Sequence, residues 1–412
     1  MNSLPIVPDS AKTEVQLTAL TTWQERGCKG TLEMATGSGK TKCGIDAAAG
    51  LIWKMVEHNL KPKVLIITPT EELRDREWVK EATKWEANFL FEDGLLDIVC
   101  IQTCYKWTNQ IYDLVVVDEI DLTLSPEYIK FYSQNTCKRI LGLTATVPDD
   151  KKALLETIAP IVYTITTSEA RGKELVSDYK VYNVAVEFNE AEKRQYKIHN
   201  ENIEKASKEI ALSPNDNIFM RAKGLIGYAK GDQSKRRWAF VYMQAVRDRT
   251  ALLYNCNDKL KVTKQLIDQA KPKKCIVFSQ TIDFAEKMAS ELKSLVYHSK
   301  LDKVRRELNL SWFNDTESIY TTISTVMALD RGINVESTEM CIIASGTQKP
   351  HQLTQRLGRG LRKTEENITT ICVNLYVKDT KEMDWVARRC ENETPIWIPS
   401  VEAFLQILKP FH

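Results

Sequence analysis

The sequence predicts an α/β protein of two tandem parallel-sheet lobes with a helical insertion between them, and three observations carry that prediction. Short β-branched runs alternate with helical stretches from Gly30 to Thr166, long charged helix-favouring sequence follows from Glu187 to Gln269, and the alternation resumes from Lys274. The boundaries implied are 1–186 for the first lobe, 187–269 for the insertion and 270–412 for the second lobe with its tail. A chain of 412 residues also exceeds the roughly 100–200 residues of one ordinary domain, so a second core is expected on length alone.

The strand-like runs of the first lobe are Thr31 to Met34, Val64 to Thr68, Asp97 to Ile101, Leu114 to Val117, Ile140 to Thr144 and Ile161 to Thr164. Each ends in charged or turn residues, the end at which open α/β sheets place their ligands. The insertion reads as helix over Glu190 to Leu212 and Arg237 to Tyr254. Strands return at Lys274 to Ser279, Ser318 to Thr322, Met340 to Ala344 and Thr370 to Tyr376. After Asn392, Trp397, Phe404 and Leu405 give the tail enough apolar surface to pack back on a lobe.

The chain is 43% hydrophobic and 27% charged, a composition able to bury real cores. Lys+Arg number 57 against Asp+Glu 55, so any contact with a polyanion has to come from local patches. Ten cysteines form no CxxC pair, and neither Cys100 and Cys104 nor His298 and His351 have partners at zinc-site spacing, which points to reduced thiols and structural histidines. Met1 to Ser10 lacks a secretory pattern, and no apolar run approaches the ~20 residues that span a bilayer. An intracellular protein, in the cytoplasm or at the nucleoid, with no membrane partner is expected.

Met34-Ala35-Thr36-Gly37-Ser38-Gly39-Lys40-Thr41 lies between an apolar run and the helical stretch Lys42 to His58. Strand, glycine loop and helix are the context of a phosphate-binding loop. The glycines let backbone N–H groups turn toward phosphates at the positive end of a helix, so Thr36, Gly37, Ser38 and Gly39 are candidate ATP-binding residues. Lys40 suits the β- and γ-phosphates and the Thr41 hydroxyl suits Mg²⁺. Met34 stands where the strict pattern has Gly, and a chance glycine turn before an amphipathic helix is the competing reading. Farther on, the apolar run Leu114 to Val117 delivers Asp118 and Glu119 at a strand end. Asp118 suits Mg²⁺, and Glu119 suits the orientation and deprotonation of water. Acidic residues also begin helices, and Asp121 fits such a cap.

With Leu143-Thr144-Ala145-Thr146 and Gln355-Arg356-Leu357-Gly358-Arg359-Gly360-Leu361-Arg362 added, the order of segments resembles that of the superfamily 2 helicases and translocases. The resemblance runs from about Gln16 to Arg362 and joins their motif I (Met34 to Thr41), motif II (Asp118 to Asp121), motif III and motif VI. It implies RecA-like lobes, nucleic-acid-dependent hydrolysis of ATP with Mg²⁺, and a nucleic-acid partner. By the same resemblance Gln16 senses adenine, and Pro69, Thr70, Gln102 and Thr103 touch the nucleic-acid backbone. Val277 to Ser279 resembles motif IV and Thr325 to Val335 motif V, which adds Ser279 and Thr325 on the nucleic-acid side and Gly332 on the nucleotide side. Thr144 and Thr146 are implied to couple the two. Motif II departs from both common forms by reading Asp-Glu-Ile-Asp, and Asn334 stands where many relatives have Asp.

Taken alone, Arg356, Arg359 and Arg362 fit the basic face of a surface helix, although Gly358 and Gly360 interrupt one. Within the resemblance, Gln355, Arg359 and Arg362 are catalytic, the arginines supplying cations to the γ-phosphate as the lobes close. The run Arg221, Lys223, Lys230, Lys235, Arg236 and Arg237, followed by Trp238 and Tyr242, fits either a backbone grip or a solvated helix with Trp238 packed inward. DNA is favoured over RNA because motif II departs from the form common in RNA unwinders, and a monomer is expected. An RNA helicase, a small-molecule P-loop ATPase and an ATP-operated clamp are the rivals.

Overall fold

The computed structural model describes residues 11–411 apart from 72, 177, 214–215, 228–231, 327–337, 349–368 and 392. The chain divides into two compact units, with the main change from one to the other after Tyr179.

In the first unit the strands are β1 (Lys29–Met34), β2 (Val64–Thr68), β3 (Leu96–Cys100), β4 (Ile111–Tyr112), β5 (Leu114–Asp118), β6 (Thr136–Cys137), β7 (Ile140–Thr144) and β8 (Ile161–Ile165). Six of them form a parallel sheet in the order β3-β2-β5-β7-β1-β8, while β4 and β6 pair as a small ribbon. Every residue of β2, β5 and β7 is buried, as a parallel sheet covered on both faces requires, and this explains their unbroken apolar runs. The helix Lys40–Glu57 leaves the end of β1 and stops at His58, where Asn59 adopts φ 55°. Gly44 on this helix gives the indole of Trp78 room, because a Cβ there would lie 2.5 Å from its ring. Trp23, on the helix Ala11–Glu25, ties that helix beneath the sheet by donating from its indole N–H to the Ile140 carbonyl at 2.8 Å.

The second unit carries β9 (Tyr179–Val186), β10 (Cys275–Phe278), β11 (Leu295–Tyr297), β12 (Thr322–Thr325), β13 (Met340–Ile343), β14 (Thr370–Val377) and β15 (Ile396–Ile398) in the order β11-β12-β10-β13-β14-β9-β15. Two expectations need correction here. The stretch to residue 186, assigned to the first lobe, contains β9, whose partners β14 and β15 are supplied by much later sequence. The strand expected at Ser318 to Thr322 lies at Thr322–Thr325, pairing Ile323 with Ile276 in the core, while Ile319 is largely exposed. The tail packs on this unit through Val401, Phe404 and Leu408, and Trp397 meets Tyr376 edge to face.

Within 187–269, the helices Glu190–Ile210, Ile218–Gly227 and Gln233–Tyr254 pack together around Ile210, Ala222 and Ala239. The first starts on a capping box of Asn189 with Glu192, and the third on Asp232, whose side chain accepts from Ser234 and Lys235 amides. Trp238 packs against this cluster with Tyr242, which is the inward-facing alternative. The fourth helix, Asn257–Ala270, instead contributes Val262 and Leu266 to the core of the second sheet. There Lys259 and Glu382 form a fully buried ion pair at 2.6 Å. Lys259 also donates to the Leu253 carbonyl, and Glu382 accepts from the Val377 amide.

Candidate functional site

The predicted phosphate loop joins β1 to the helix Lys40–Glu57. Gly37 and Gly39 have φ of 88° and 92°, the left-handed region that side chains avoid. Gly39 is required twice over, because a Cβ on it would lie 1.9 Å from Gln16 Nε2. Gln16 is buried and donates to the Ser38 carbonyl at 3.1 Å, so the glutamine expected at the adenine sits directly on the loop. Ser38 is also buried and braces the turn by donating from Oγ to the Ala35 carbonyl at 2.7 Å. Thr36, Gly37 and Thr41 are half-buried around it. Lys40 folds back over the loop, with Nζ donating to the Met34 carbonyl at 2.8 Å. Among the described residues no side chain caps this helix, which suits its first turn to an anion.

Asp118 ends β5, buried, and accepts at Oδ2 from the Trp78 indole N–H at 3.0 Å. Burial pushes its carboxyl up to about 6, with the negative charge of Glu119 adding to the shift and the Trp78 indole and Lys40 opposing it. Glu119 has φ 49°, a backbone conformation that is strained for a residue with a side chain. Its Oε2 is buried and makes no hydrogen bond among the described residues. Two adjoining carboxylates, one desolvated and one short of a donor, form an oxygen set that fits a hard divalent cation and a water.

Asp121 was expected as a possible helix cap, but it is buried and accepts at Oδ1 from the Thr144 hydroxyl at 3.0 Å. That bond joins the end of β7 to the turn that follows β5. Thr144 also reaches the Thr146 carbonyl at 3.3 Å, and the Val147 amide donates to Glu33 Oε1 on β1 at 2.8 Å. The segment 144–147 is thereby tied to both the phosphate-loop strand and the acidic turn.

At the ends of the neighbouring strands β2 and β3, Gln102 Nε2 donates to the Pro69 carbonyl at 3.0 Å, and Thr70 Oγ1 accepts from the Leu73 amide at 3.4 Å. Thr103 is exposed beside Gln102. In the second unit Ser279 and Thr325 meet at the ends of β10 and β12, where the Ser279 amide donates to the Thr325 carbonyl at 2.8 Å. The Thr325 hydroxyl donates to Tyr297, and Ser279 Oγ is buried with no hydrogen-bond partner among the described residues. Gly332, Gln355, Arg359 and Arg362 lie outside the described residues. His298, expected to be structural, is buried and bonds Glu286 at 2.6 Å.

Two site residues had no role assigned from sequence. Trp78 is the neutral donor to Asp118, a partnership across 40 positions that its place in the sequence does not reveal. Glu33 holds the 144–147 segment, which alternation along β1 alone does not reveal.

Residues 10–149 match the family described as "Type III restriction enzyme, res subunit", and residues 258–364 match "Helicase conserved C-terminal domain". The chain is 25% identical over 409 residues to the DNA 3'-5' translocase XPB2 of Sulfurisphaera tokodaii, covering 94% of this chain and 86% of the relative. Its fold is similar to Dbp5 of S. cerevisiae bound to RNA and ADP BeF3, with a TM-score of 0.61 and 16% identity over 96% of this chain and 92% of that one. The Hef helicase domain of Pyrococcus furiosus is also similar, at TM-score 0.59 and 16% identity over 92% of this chain and 97% of the other. These structures share the tandem RecA-like arrangement of two parallel α/β sheets. Helicase and translocase families of this kind are nucleic-acid-dependent ATPases that use ATP with a divalent metal. Motif order, fold and family matches agree, and the chain belongs to the superfamily 2 helicases and translocases.

Proposed function

We propose that this chain is a DNA helicase or translocase that hydrolyses ATP with Mg²⁺ and works as a monomer. The observation that carries the hydrolytic part is the pair at the end of β5: Asp118, buried and pushed up to about 6, next to Glu119 with an unanswered Oε2. Thr41 and Asp118 are the residues to hold Mg²⁺, which when bound neutralises charge on the β- and γ-phosphates. Lys40 exchanges the Met34 carbonyl for those phosphates, and the loop from Thr36 to Gly39 offers them its amides. Glu119 orients the attacking water and takes its proton. Gln16 reads the adenine, while Gln355, Arg359 and Arg362 supply the polar and cationic groups that the developing charge needs.

Pro69, Thr70, Gln102, Thr103, Ser279 and Thr325 are assigned to the sugar-phosphate backbone. Uncharged hydroxyls, amides and carbonyl-flanked turns there grip any sequence, as a motor must, and do so in a chain whose basic and acidic residues nearly balance at 57 and 55. Thr144 and Thr146 are assigned to coupling, supported by the bonds that join 144–147 to Glu33 and Asp121. The preference for DNA rests on the relative named as a DNA translocase and on the restriction-type family match. The test is steady-state ATPase activity with Mg²⁺, alone and with single-stranded, double-stranded or forked DNA or with RNA, using Glu119→Gln as control. Stimulation by a DNA form that the variant abolishes is expected. Stimulation by RNA alone moves the assignment to RNA, and indifference to every nucleic acid removes the motor.

A further inference from the structure

The helix Lys40–Glu57 has two functional-looking ends, and only one of them is the phosphate loop. Its C-terminal half walls a cavity of about 590 Å³ within the first unit, a size typical of small-molecule sites. Cys28 just before β1, Leu114 at the start of β5 and Arg139 just before β7 mark its position at the N-terminal edge of the sheet. The phosphate loop leaves the opposite edge. Over 18 residues the helix covers about 27 Å at 1.5 Å per residue, so both sites touch one rigid element.

The cavity is amphipathic. Leu20, Trp23, Leu51, Met55 and Leu114 supply an apolar wall, and the Trp23 N–H is already committed to Ile140. Gly50 contributes no side chain, and a Cβ there meets nothing within 4 Å. Lys54 and Arg139 also line it, and neither forms an ion pair among the described residues. The nearby carboxylate of Asp113 is taken by Lys138 at 2.9 Å, and Arg139 spends one N–H on the Asp113 carbonyl at 3.2 Å. Asp46, the one acidic lining residue, is paired with Lys42. The balance is a half-open, apolar-walled groove with two cations, the exposed Lys54 and Arg139, the latter also held electrostatically by the Asp113 carboxylate behind it.

We propose that this cavity binds a small amphiphilic anion, an apolar ring or chain bearing one carboxylate or phosphate, and that the ligand acts as an effector of the nucleotide end through the shared helix. The apolar body fills the space left by Gly50, and the anion meets Lys54 and Arg139. The binding half stands independently of the motor reading; the effector half rests on it.

The probe is 2-naphthoate, compared with the neutral 2-naphthylmethanol, titrated calorimetrically into the full chain. Saturable binding of naphthoate at one site is expected, with naphthylmethanol at least tenfold weaker. Gly50→Leu, which puts a side chain into the groove and replaces a poor helix former with a good one, is expected to weaken naphthoate at least tenfold at unchanged or raised Tm. Arg139→Gln is expected to weaken naphthoate several-fold and to leave naphthylmethanol unchanged. Absent saturation at millimolar naphthoate, equal affinity for the neutral analogue, or unchanged affinity in Gly50→Leu overturns the site. In a second arm, naphthoate is expected to change the KM for ATP in the native chain and not in Gly50→Leu. Bound naphthoate with unchanged ATPase kinetics overturns the effector role while leaving the site, and a chain without ATPase activity tests the motor reading separately.

Discussion

In the second lobe Lys259 and Glu382 are fully enclosed, yet the ammonium and both carboxylate oxygens have partners. In the first lobe Asp118 is buried and accepts from the Trp78 indole at Oδ2, and Glu119 keeps a buried oxygen that nothing answers among the described residues. Burying a charge costs several kcal/mol unless it is paired and hydrogen-bonded. One lobe meets that requirement internally; in the other, under the proposed function, Mg²⁺ and a water would meet it. Under the proposed function, the comparison separates buried charge that holds a fold from buried charge held for chemistry.

The sharpest way to break that comparison is to neutralise each side. Glu119→Gln is expected to lower kcat for ATP hydrolysis by about 10²–10⁴ with no loss of Tm, measured by steady-state assay and thermal melting. A fall in Tm with retained turnover places Glu119 among the structural charges. Lys259→Met strands Glu382 and is expected to cost about 3–5 kcal/mol in denaturant unfolding. Adding Glu382→Leu is expected to recover most of that loss, because the orphaned charge disappears.

Asp118→Asn sharpens the comparison through pH. The folded carboxyl is raised from 3.8 to about 6, so its contribution to stability is full below 3.8 and is lost as the pH rises through about 6. The substitution is therefore expected to abolish ATPase activity and to stabilise the fold at pH 8 by about 3 kcal/mol, a gain that shrinks as the pH falls below 6 in parallel melts. The smallest effect belongs to Trp78→Phe, which removes the indole donor to Asp118 at a cost of about 1 kcal/mol. Loss of that donor raises the carboxyl further, so the acidic limb of the ATPase pH profile is expected to move to higher pH. A profile identical to that of the native chain would show that Asp118 does not govern the limb.

Much of this was legible locally. The strand, glycine loop and helix around Lys40 and the apolar run into Asp118 follow from short-range patterning, and the structure has β1, the helix Lys40–Glu57 and β5 there. What was missed is non-local. β9 reads as a continuation of the first lobe because it follows without a break, but its assignment is decided by partners such as Asn374, whose Nδ2 bonds Asn183 at 2.9 Å across 191 positions. The strand at Thr322–Thr325 was placed too early because Ile319 to Ile323 is an unbroken β-favouring run, and burial alone selects which part of it pairs. The Trp78 donor and the chamber beside Gly50 depend on side chains brought together from separate elements, which no spacing rule encodes.

The absent side chain of Gly39 leaves the space that Gln16 occupies, and Gln16 in turn holds the Ser38 carbonyl. Loop and helix Ala11–Glu25 are therefore a single interchangeable part rather than two. A chimaera that transplants the phosphate loop from a relative without its upstream helix inherits a mismatch at this contact, whereas exchanging both segments together keeps the fit.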